Sequence, residues 1–353
     1  MKITHIHIER FRGFQNEDFE VGSLLTAIAG QNGTQKSTLL GIITQTFTLK
    51  TEDSMRVEKP LCGGSYISAF KDKFRLSPTF DKPKGHEWTI SFDAGMDDFT
   101  VESIKRTGDP NVRFWKKGAR QEGDGYISFP TIFLSLKRLV PVAEEAKIIT
   151  DDTLLTQEEL NEFKQLHNKI LIAQTPISSA TTITSKNKQS IGVSTELYDW
   201  NQNSMGQDNL GKIILALFSF KRLHDKYPRQ YKGGILAIDE MDATMYPASQ
   251  VELLKVLRKY ASKLNLQILF TTHSMSLLKA MDDLVQEVTK KEETANQAKI
   301  LYLKKVDDKI AIKQGVNFKG IQLDLNVVAE GNNRKKNRIT AYTEDKENIL
   351  FVK

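Results

Sequence analysis

An apolar run that breaks into a glycine-rich turn and restarts at once as a helix constrains this chain more than any other feature. Leu24-Leu25-Thr26-Ala27-Ile28-Ala29 reads as a buried strand, Gly30-Gln31-Asn32-Gly33 supplies the turn, and Leu39, Leu40, Ile42 and Ile43 are spaced to bury one face of a following helix. A strand coupled this tightly to a helix belongs to a parallel α/β layout. The same grammar returns after Gly192, where helices and apolar strands alternate up to about Met281.

Other segments fill in the organisation. Ile3, His5, His7 and Glu9 alternate with Thr4, Ile6, Ile8 and Arg10, the period of a strand with one apolar face. From about Glu87 to Trp115, Glu87–Phe92 and Phe99–Ile104 read as short strands, with turns at Gly95, Gly108 and Pro110, and predict an antiparallel subdomain. Thr131–Leu136 is a candidate buried strand. Thr156-Gln157-Glu158-Glu159 reads as a capping box for a helix that presents Leu160, Phe163, Leu166 and Ile170 on one face. Ser178–Gly192, rich in Ser and Thr, predicts a hairpin or a mobile loop, and no internal repeat or extended heptad is present.

Composition excludes more than it selects. No run approaches the roughly 18 to 20 apolar residues of a membrane span, and the N-terminus enters a strand pattern without a signal-peptide core. One cysteine, Cys62, allows no intrachain disulfide and fits a reducing cytoplasm. The net charge of +6 suits a polyanionic partner and a solvated surface equally well.

Four segments carry chemistry. Gly30-Gln31-Asn32-Gly33-Thr34-Gln35-Lys36-Ser37-Thr38 lies between strand and helix as a P-loop does: helix N-terminal amides cradle phosphates, Lys36 meets the outer phosphates, and the Ser37 hydroxyl ligates Mg²⁺. Gly233–Glu240 is an apolar strand that delivers Asp239, able to hold Mg²⁺ through water, and Glu240, able to accept a proton from an attacking water. Leu266–Ser274 is a second apolar strand, ending in His273, which can touch a γ-phosphate. A full helix, Val251 to Leu264, separates it from Glu240, the spacing of adjacent parallel strands. Asn203–Lys212 opens the apolar helix Ile213 to Phe220, and Ser204, Gly206 and Gln207 present a positive helix end to an anion. Taken singly, each has a plain reading: a surface turn, a core strand with solvated acids, a structural histidine, an N-cap. Their joint order carries the inference.

That order resembles the ABC-type ATPases: Gly30–Thr38 as Walker A, Ser204-Met205-Gly206-Gln207 as the signature, Ile235–Glu240 as Walker B, Asp242 as the D-loop acid and His273 as the switch histidine. Ile6–Phe14 and Asp239–Pro247, with Tyr246 where a histidine is usual, resemble the branch of SMC and recombination ATPases and OLD-family nucleases. The resemblance covers roughly residues 1 to 315. It implies an α/β P-loop ATPase with a mixed sheet, an inserted antiparallel β subdomain near 85–128 and a helical subdomain near 151–230. It also implies ATP and Mg²⁺ as cofactors and a head-to-tail homodimer in which Ser204 and Gly206 reach the ATP held by Lys36 of the other copy. Lys36, Glu240 and His273 are then the catalytic residues, and Ser37 and Asp239 the metal ligands.

Three departures from the family pattern stand out. Gln35 replaces a glycine, harmless where the backbone is already helical and slowing turnover where φ > 0 or close approach is required. Met205 replaces a small residue, and no Q-loop glutamine lies between residues 50 and 120. Beyond residue 315, Gly331–Arg338 reads as a solvated linker, and Arg338–Val352 resembles the start of a TOPRIM nuclease domain with Glu344 as its first metal ligand, or an ordinary strand with exposed acids. The leading functional expectation is an ATPase governing a nucleic-acid-directed effector, a nuclease or toxin, in bacterial anti-phage defence, with DNA or RNA as a further partner. The alternatives are a nucleotide-binding scaffold with little turnover, a repair or recombination ATPase, and a transporter nucleotide-binding domain.

Overall fold

The computed structural model describes residues 1–331 apart from 51, 67–69, 94, 106–111, 119–124, 141–147, 152–153 and 185–188. The turns expected at Gly108 and Pro110 and the TOPRIM-like segment with Glu344 fall outside the described residues. The chain opens as a hairpin of β1 (Ile3–Phe11) and β2 (Phe14–Glu20), with Ile3, Ile6, Ile8 and Phe11 buried from β1. After β3 (Leu25–Gly30), α1 (Lys36–Thr44), β4 (Phe47–Thr48) and α2 (Phe70–Lys73) come three antiparallel strands, β5 (Glu87–Phe92), β6 (Phe99–Lys105) and β7 (Val112–Lys116).

These strands do not form a sheet of their own. β5 pairs with β1, Ile6 opposite Ile90 and Ile8 opposite Trp88, which gives one five-stranded sheet of order β2-β1-β5-β6-β7. The cause is a shared apolar row: Trp88, Ile90 and Phe92 alternate along β5 as Ile6 and Ile8 do along β1, and pairing the strands buries both rows together. Aromatic rings fill the space beneath, with Phe11 4.6 Å from the His86 ring and Trp88 5.1 Å from Phe114. β8 (Ile127–Ser128), at the far end of the expected subdomain, pairs with β4 instead.

β9 (Thr131–Leu134) leads to a second region in which helices and a small sheet combine. A three-stranded sheet of β10 (Ile149–Asp151), β11 (Ser179–Thr184) and β12 (Gln189–Ser194) accompanies α3 (Gln157–Leu171) and α4 (Met205–Lys226). The expected capping box starts α3: the Thr156 hydroxyl accepts from Glu159 N, and the Glu159 carboxylate accepts from Thr156 N at 2.9 Å. The Ser/Thr-rich stretch is the β11–β12 hairpin. α4 lies close upon it, since a methyl group on Gly211 would come within 3.0 Å of the Ile191 carbonyl oxygen.

The remaining elements are β13 (Gly234–Ile238), α5 (Pro247–Lys263), β14 (Leu266–Thr272), α6 (Met275–Val288), β15 (Ala298–Val306) and β16 (Lys309–Lys313). α5 begins a turn before the expected Val251, because Pro247 occupies its first turn, where proline's fixed φ is already helical. The core sheet has the order β16-β15-β3-β14-β13-β9; its strands run parallel except β16. β13 and β14 are direct neighbours, Gly234 beside Leu266 and Ile238 beside Phe270, as the intervening helix required. Met1–Val316 forms one compact unit, and α7 (Phe318–Gly331) begins a second, Asn317–Lys353. Among the described residues no helix is long and apolar enough to cross a membrane.

Gln267 ties the two large sheets together. Its side chain, buried in β14, accepts from Ile3 N at 2.7 Å and donates to the carbonyls of Ile3 at 2.8 Å and Gly22 at 3.0 Å. Gln267→Leu keeps the volume but strands three backbone groups away from water. We expect a loss of about 3 kcal/mol or more, since each unpaired buried group costs roughly 1–3 kcal/mol. Denaturant unfolding reads it, and an unchanged midpoint would show that the sheets are held by apolar packing alone.

Candidate active site

Register brings the chemistry to one edge. Ala29 of β3 lies beside Thr272 of β14, and Ile238 of β13 beside Phe270, so all three strands end together at the carboxyl side of the sheet. The loop Gly30–Gln35 leaves β3 there. Gly30 has φ 150, and an added methyl would meet the Leu303 carbonyl oxygen at 2.4 Å; Gly33 has φ 81 with open space around it. Lys36, the first residue of α1, folds over the loop and donates to the carbonyls of Gly30 at 3.0 Å and Gln31 at 2.9 Å. Burial lowers its pKa below the usual 10.5, while Glu240, Asp239 and Asp242 act in the opposite sense. No side chain caps α1 at Gln35, so its first amides keep their donors for an external acceptor.

A hydrogen-bond chain joins that helix to the two strand ends. The Ser37 hydroxyl donates to Asp239 Oδ1 at 2.9 Å, the Thr271 hydroxyl donates to the same oxygen at 2.8 Å, and Glu240 N donates to Thr271 Oγ1 at 2.6 Å. Hydroxyl and carboxylate oxygens side by side are hard donors of the kind Mg²⁺ takes, alongside waters and phosphate oxygens. Among the described residues no cluster of three or more His, Cys, Asp or Glu could hold a metal alone. The donor set therefore fits Mg²⁺ bound with a nucleotide, and the uncapped α1 amides fit its phosphates.

Around this centre the loop Glu240–Tyr246 folds tightly, with Glu240 at φ 49 and Thr244 at φ 69. Gln250 of α5 donates to the carbonyls of Asp242 and Met245 and pairs with the Ser274 hydroxyl, which fastens this loop to the start of α6 next to His273. His273 stands at the surface, where partial desolvation of its ring, together with the Lys36 charge, lowers its pKa below the usual 6.5. Asp242 keeps one buried carboxylate oxygen without a hydrogen-bond partner. At the start of α4, Ser204 Oγ accepts from Gln207 N at 3.3 Å and Gln207 Oε1 accepts from Ser204 N at 2.8 Å, a complete capping box. Gly206 sits against the same loop: a methyl there would meet the Thr244 carbonyl oxygen at 2.6 Å. Sequence reasoning passed over Thr271, Gln250, Asn209 and Arg138, and only the adjacency of Thr271 to His273 hinted at any of them.

Residues 134–278 match the AAA ATPase domain family, a stretch holding Arg138, the Ser204 segment, Asp239, Glu240 and His273. An SMC head bound to the C-terminal winged-helix domain of ScpA is 14% identical, with a TM-score of 0.53 over 91% of this chain and 100% of that one. The fold is that of an SMC-type ATPase head. Two further SMC heads align less closely. That of Thermotoga maritima is 14% identical, with a TM-score of 0.48 over 90% of this chain and 100% of that one. One from Pyrococcus furiosus, bound to the C-terminal domain of ScpA, is 13% identical, with a TM-score of 0.49 over 93% and 99%. A search of curated proteins found no match.

Two departures from the ABC-type motif pattern have structural consequences. Gln35 takes φ 62 and ψ 32, so its backbone is left-handed and the helical conformation that would make glycine unnecessary is not adopted. Holding a non-glycine residue there costs roughly 1–2 kcal/mol. Gln35 lines a pocket of about 560 Å³ beside the loop, together with Arg12, Arg75, Phe80, Asp81 and His86. Burial alone would raise the Asp81 carboxyl, but Arg12, Ser77 N and His86 all hydrogen-bond it and hold it at about 2. Met205 stays exposed at the tip of α4.

Thr271→Val removes one bond to Asp239 and the acceptor of the Glu240 amide without changing shape. We expect a loss of about 1–3 kcal/mol in stability, measured by denaturant unfolding. An unaltered stability would mean that water replaces the hydroxyl and that Ser37 alone holds Asp239.

Proposed function

We propose that this chain binds and hydrolyses Mg-ATP between two copies of itself and uses the resulting closure and opening to control a nucleic-acid-directed effector. The observation that supports the reading is the hydrogen-bond chain Ser37–Asp239–Thr271–Glu240, which joins the start of α1 to the two acids at the end of β13. Lys36 and the loop Gly30–Thr38 hold the phosphates, and Ser37 and Asp239 hold Mg²⁺, which supplies charge neutralisation when bound. Glu240 orients a water and takes its proton, and His273 senses the γ-phosphate. Ser204, Gly206 and Gln207, with Asp242, face the nucleotide of the second copy. The seating of Gly206 on the Thr244 carbonyl supports this, because the start of α4 and the loop after Glu240 then move as one surface.

The biological role follows from resemblance. The opening run Ile6–Phe14 and the run Asp239–Pro247 favour the OLD-like branch, and with it a cytoplasmic bacterial anti-phage system whose effector is a nuclease or toxin. The TOPRIM-like segment around Glu344 favours a nuclease. The ScpA domain bound to a head of this fold supports a protein partner on this one. A second reading, a scaffold that binds ATP with little turnover, draws its support from the left-handed Gln35.

Mg-ATP turnover of the wild type, Lys36→Ala and Glu240→Gln, with and without duplex DNA, separates the two. The hydrolytic reading expects Lys36→Ala to lose binding and turnover together. Glu240→Gln should retain ATP while losing about 10²–10⁴-fold in rate, the range of a general base. DNA should raise the wild-type rate. A wild type that binds ATP and never hydrolyses it would establish the scaffold instead.

A further inference from the structure

Arg138 is 2% exposed, and among the described residues its hydrogen bonds go to backbone carbonyls and one side-chain amide. It follows β9 in a short 3₁₀ turn, Leu136–Leu139, and its guanidinium is spent on three segments at once. Nη1 donates to the carbonyls of Leu134 at 3.2 Å and Ser135 at 3.1 Å, Nη2 to the carbonyl of Glu240 at 2.8 Å, and Nε to Asn209 Oδ1 at 2.7 Å. Asn209, fully buried in the second turn of α4, passes the tie onward by donating to the Ala243 carbonyl at 3.0 Å.

Glu240 is the residue this clamp constrains most. Its φ of 49 is unfavourable for a residue with a side chain, and such a conformation persists only when its surroundings over-determine it. Thr271 fixes its amide and Arg138 fixes its carbonyl, so both ends of the residue are held from outside. The direction of its carboxylate then depends on the angle of that backbone. Asn209 makes this angle sensitive to α4, whose first turn carries Ser204 and Gly206. A guanidinium suits the task because its planar fork can serve several carbonyls in fixed directions, which an ammonium cannot. Burial lowers Arg138 to about 10, with Asp239, Glu240 and Asp242 opposing the shift, so it stays charged at neutral pH.

We propose that Arg138 is a positioning residue for hydrolysis, which with Asn209 couples the Ser204–Gly206 end of α4 to the orientation of Glu240. The proposal rests on the ATPase reading above. Docking of α4 against the other copy's nucleotide sets Asn209, Asn209 sets the guanidinium, and the guanidinium turns the peptide behind Glu240. Glu240 is then aligned when the second copy is in place and misaligned when it is not.

Arg138→Lys, Asn209→Ala and Asn209→Asp test this through three readouts on folded protein: kcat, Mg-ATP affinity and thermal midpoint. Arg138→Lys and Asn209→Ala should each lower kcat at least about tenfold, some 1.4 kcal/mol of barrier, with ATP affinity within about twofold of wild type. Asn209→Asp still accepts from Arg138 and gives up only the bond to Ala243, so it should recover most of the rate lost in Asn209→Ala. A merely structural clamp would lower the thermal midpoint and leave kcat per folded molecule unchanged, which overturns the proposal. So does ATP affinity falling in step with kcat, or an Asn209→Asp no faster than Asn209→Ala. Failure of the parent reading shows separately, as a wild type without turnover. Should Asn209→Ala not fold, Arg138→Lys against Asn209→Asp decides alone, and equal rates in those two overturn the coupling.

Discussion

One carboxylate oxygen of Asp239 accepts hydrogen bonds from Ser37 and Thr271 together, and the geometry of the site depends on that shared acceptor. A buried carboxylate is costly unless hydrogen-bonded, and here its partners are hydroxyls from two other elements. Satisfying it therefore fixes α1 over the ends of β13 and β14. With α1 fixed, the loop Gly30–Gln35 has one path from β3 to the helix, and Lys36 closes it by donating to two of its carbonyls. Thr271 extends the same constraint to the Glu240 amide. Stability and chemistry thus draw on the same atoms, and a hydroxyl lost here weakens both.

Strain gathers at this edge. Gln35, Glu240 and Thr244 all take left-handed backbone angles, and each lies in a segment that the proposed function sets against a nucleotide. Non-glycine residues at such angles are held by their surroundings, which is how a fold stores a geometry it would otherwise lose. The surroundings are visible for two of the segments. Thr271 and Arg138 hold Glu240, while Gln250 of α5 and the packing of Gly206 hold the loop through Thr244. For Gln35 the holding group is less complete, since its amide oxygen is buried without a partner. That residue stands where the P-loop pattern has glycine.

Much of this was legible in the sequence because it is local. Continuous apolar runs ending in polar residues disclosed β3, β13 and β14. One intervening helix was enough to predict that β13 and β14 are neighbours, and Thr156 with Glu159 announced the start of α3. Pairings across the chain left no such mark. Ile6 meets Ile90 because two apolar rows happen to share a face, so the opening strand and the strands from Glu87 to Ile104 were read as separate pieces. Arg138 carries no local signal; only tertiary structure brings it to Asn209 and to the Glu240 carbonyl, 71 and 102 residues away. The backbone sign at Gln35 was also hidden, because spacing reports residue type and position and carries no information on φ.

The central claim is that the site is completed by a second copy, with the Ser204 end of α4 on the other copy's nucleotide. Sedimentation of the Glu240→Gln chain with and without Mg-ATP tests it most directly, because slowed hydrolysis should trap the closed form. The account predicts a monomer that becomes a dimer on adding Mg-ATP, and one that stays monomeric when Ser204→Arg blocks the start of α4. A Glu240→Gln chain that binds ATP and remains a monomer, or dimerises regardless of Ser204→Arg, would contradict it.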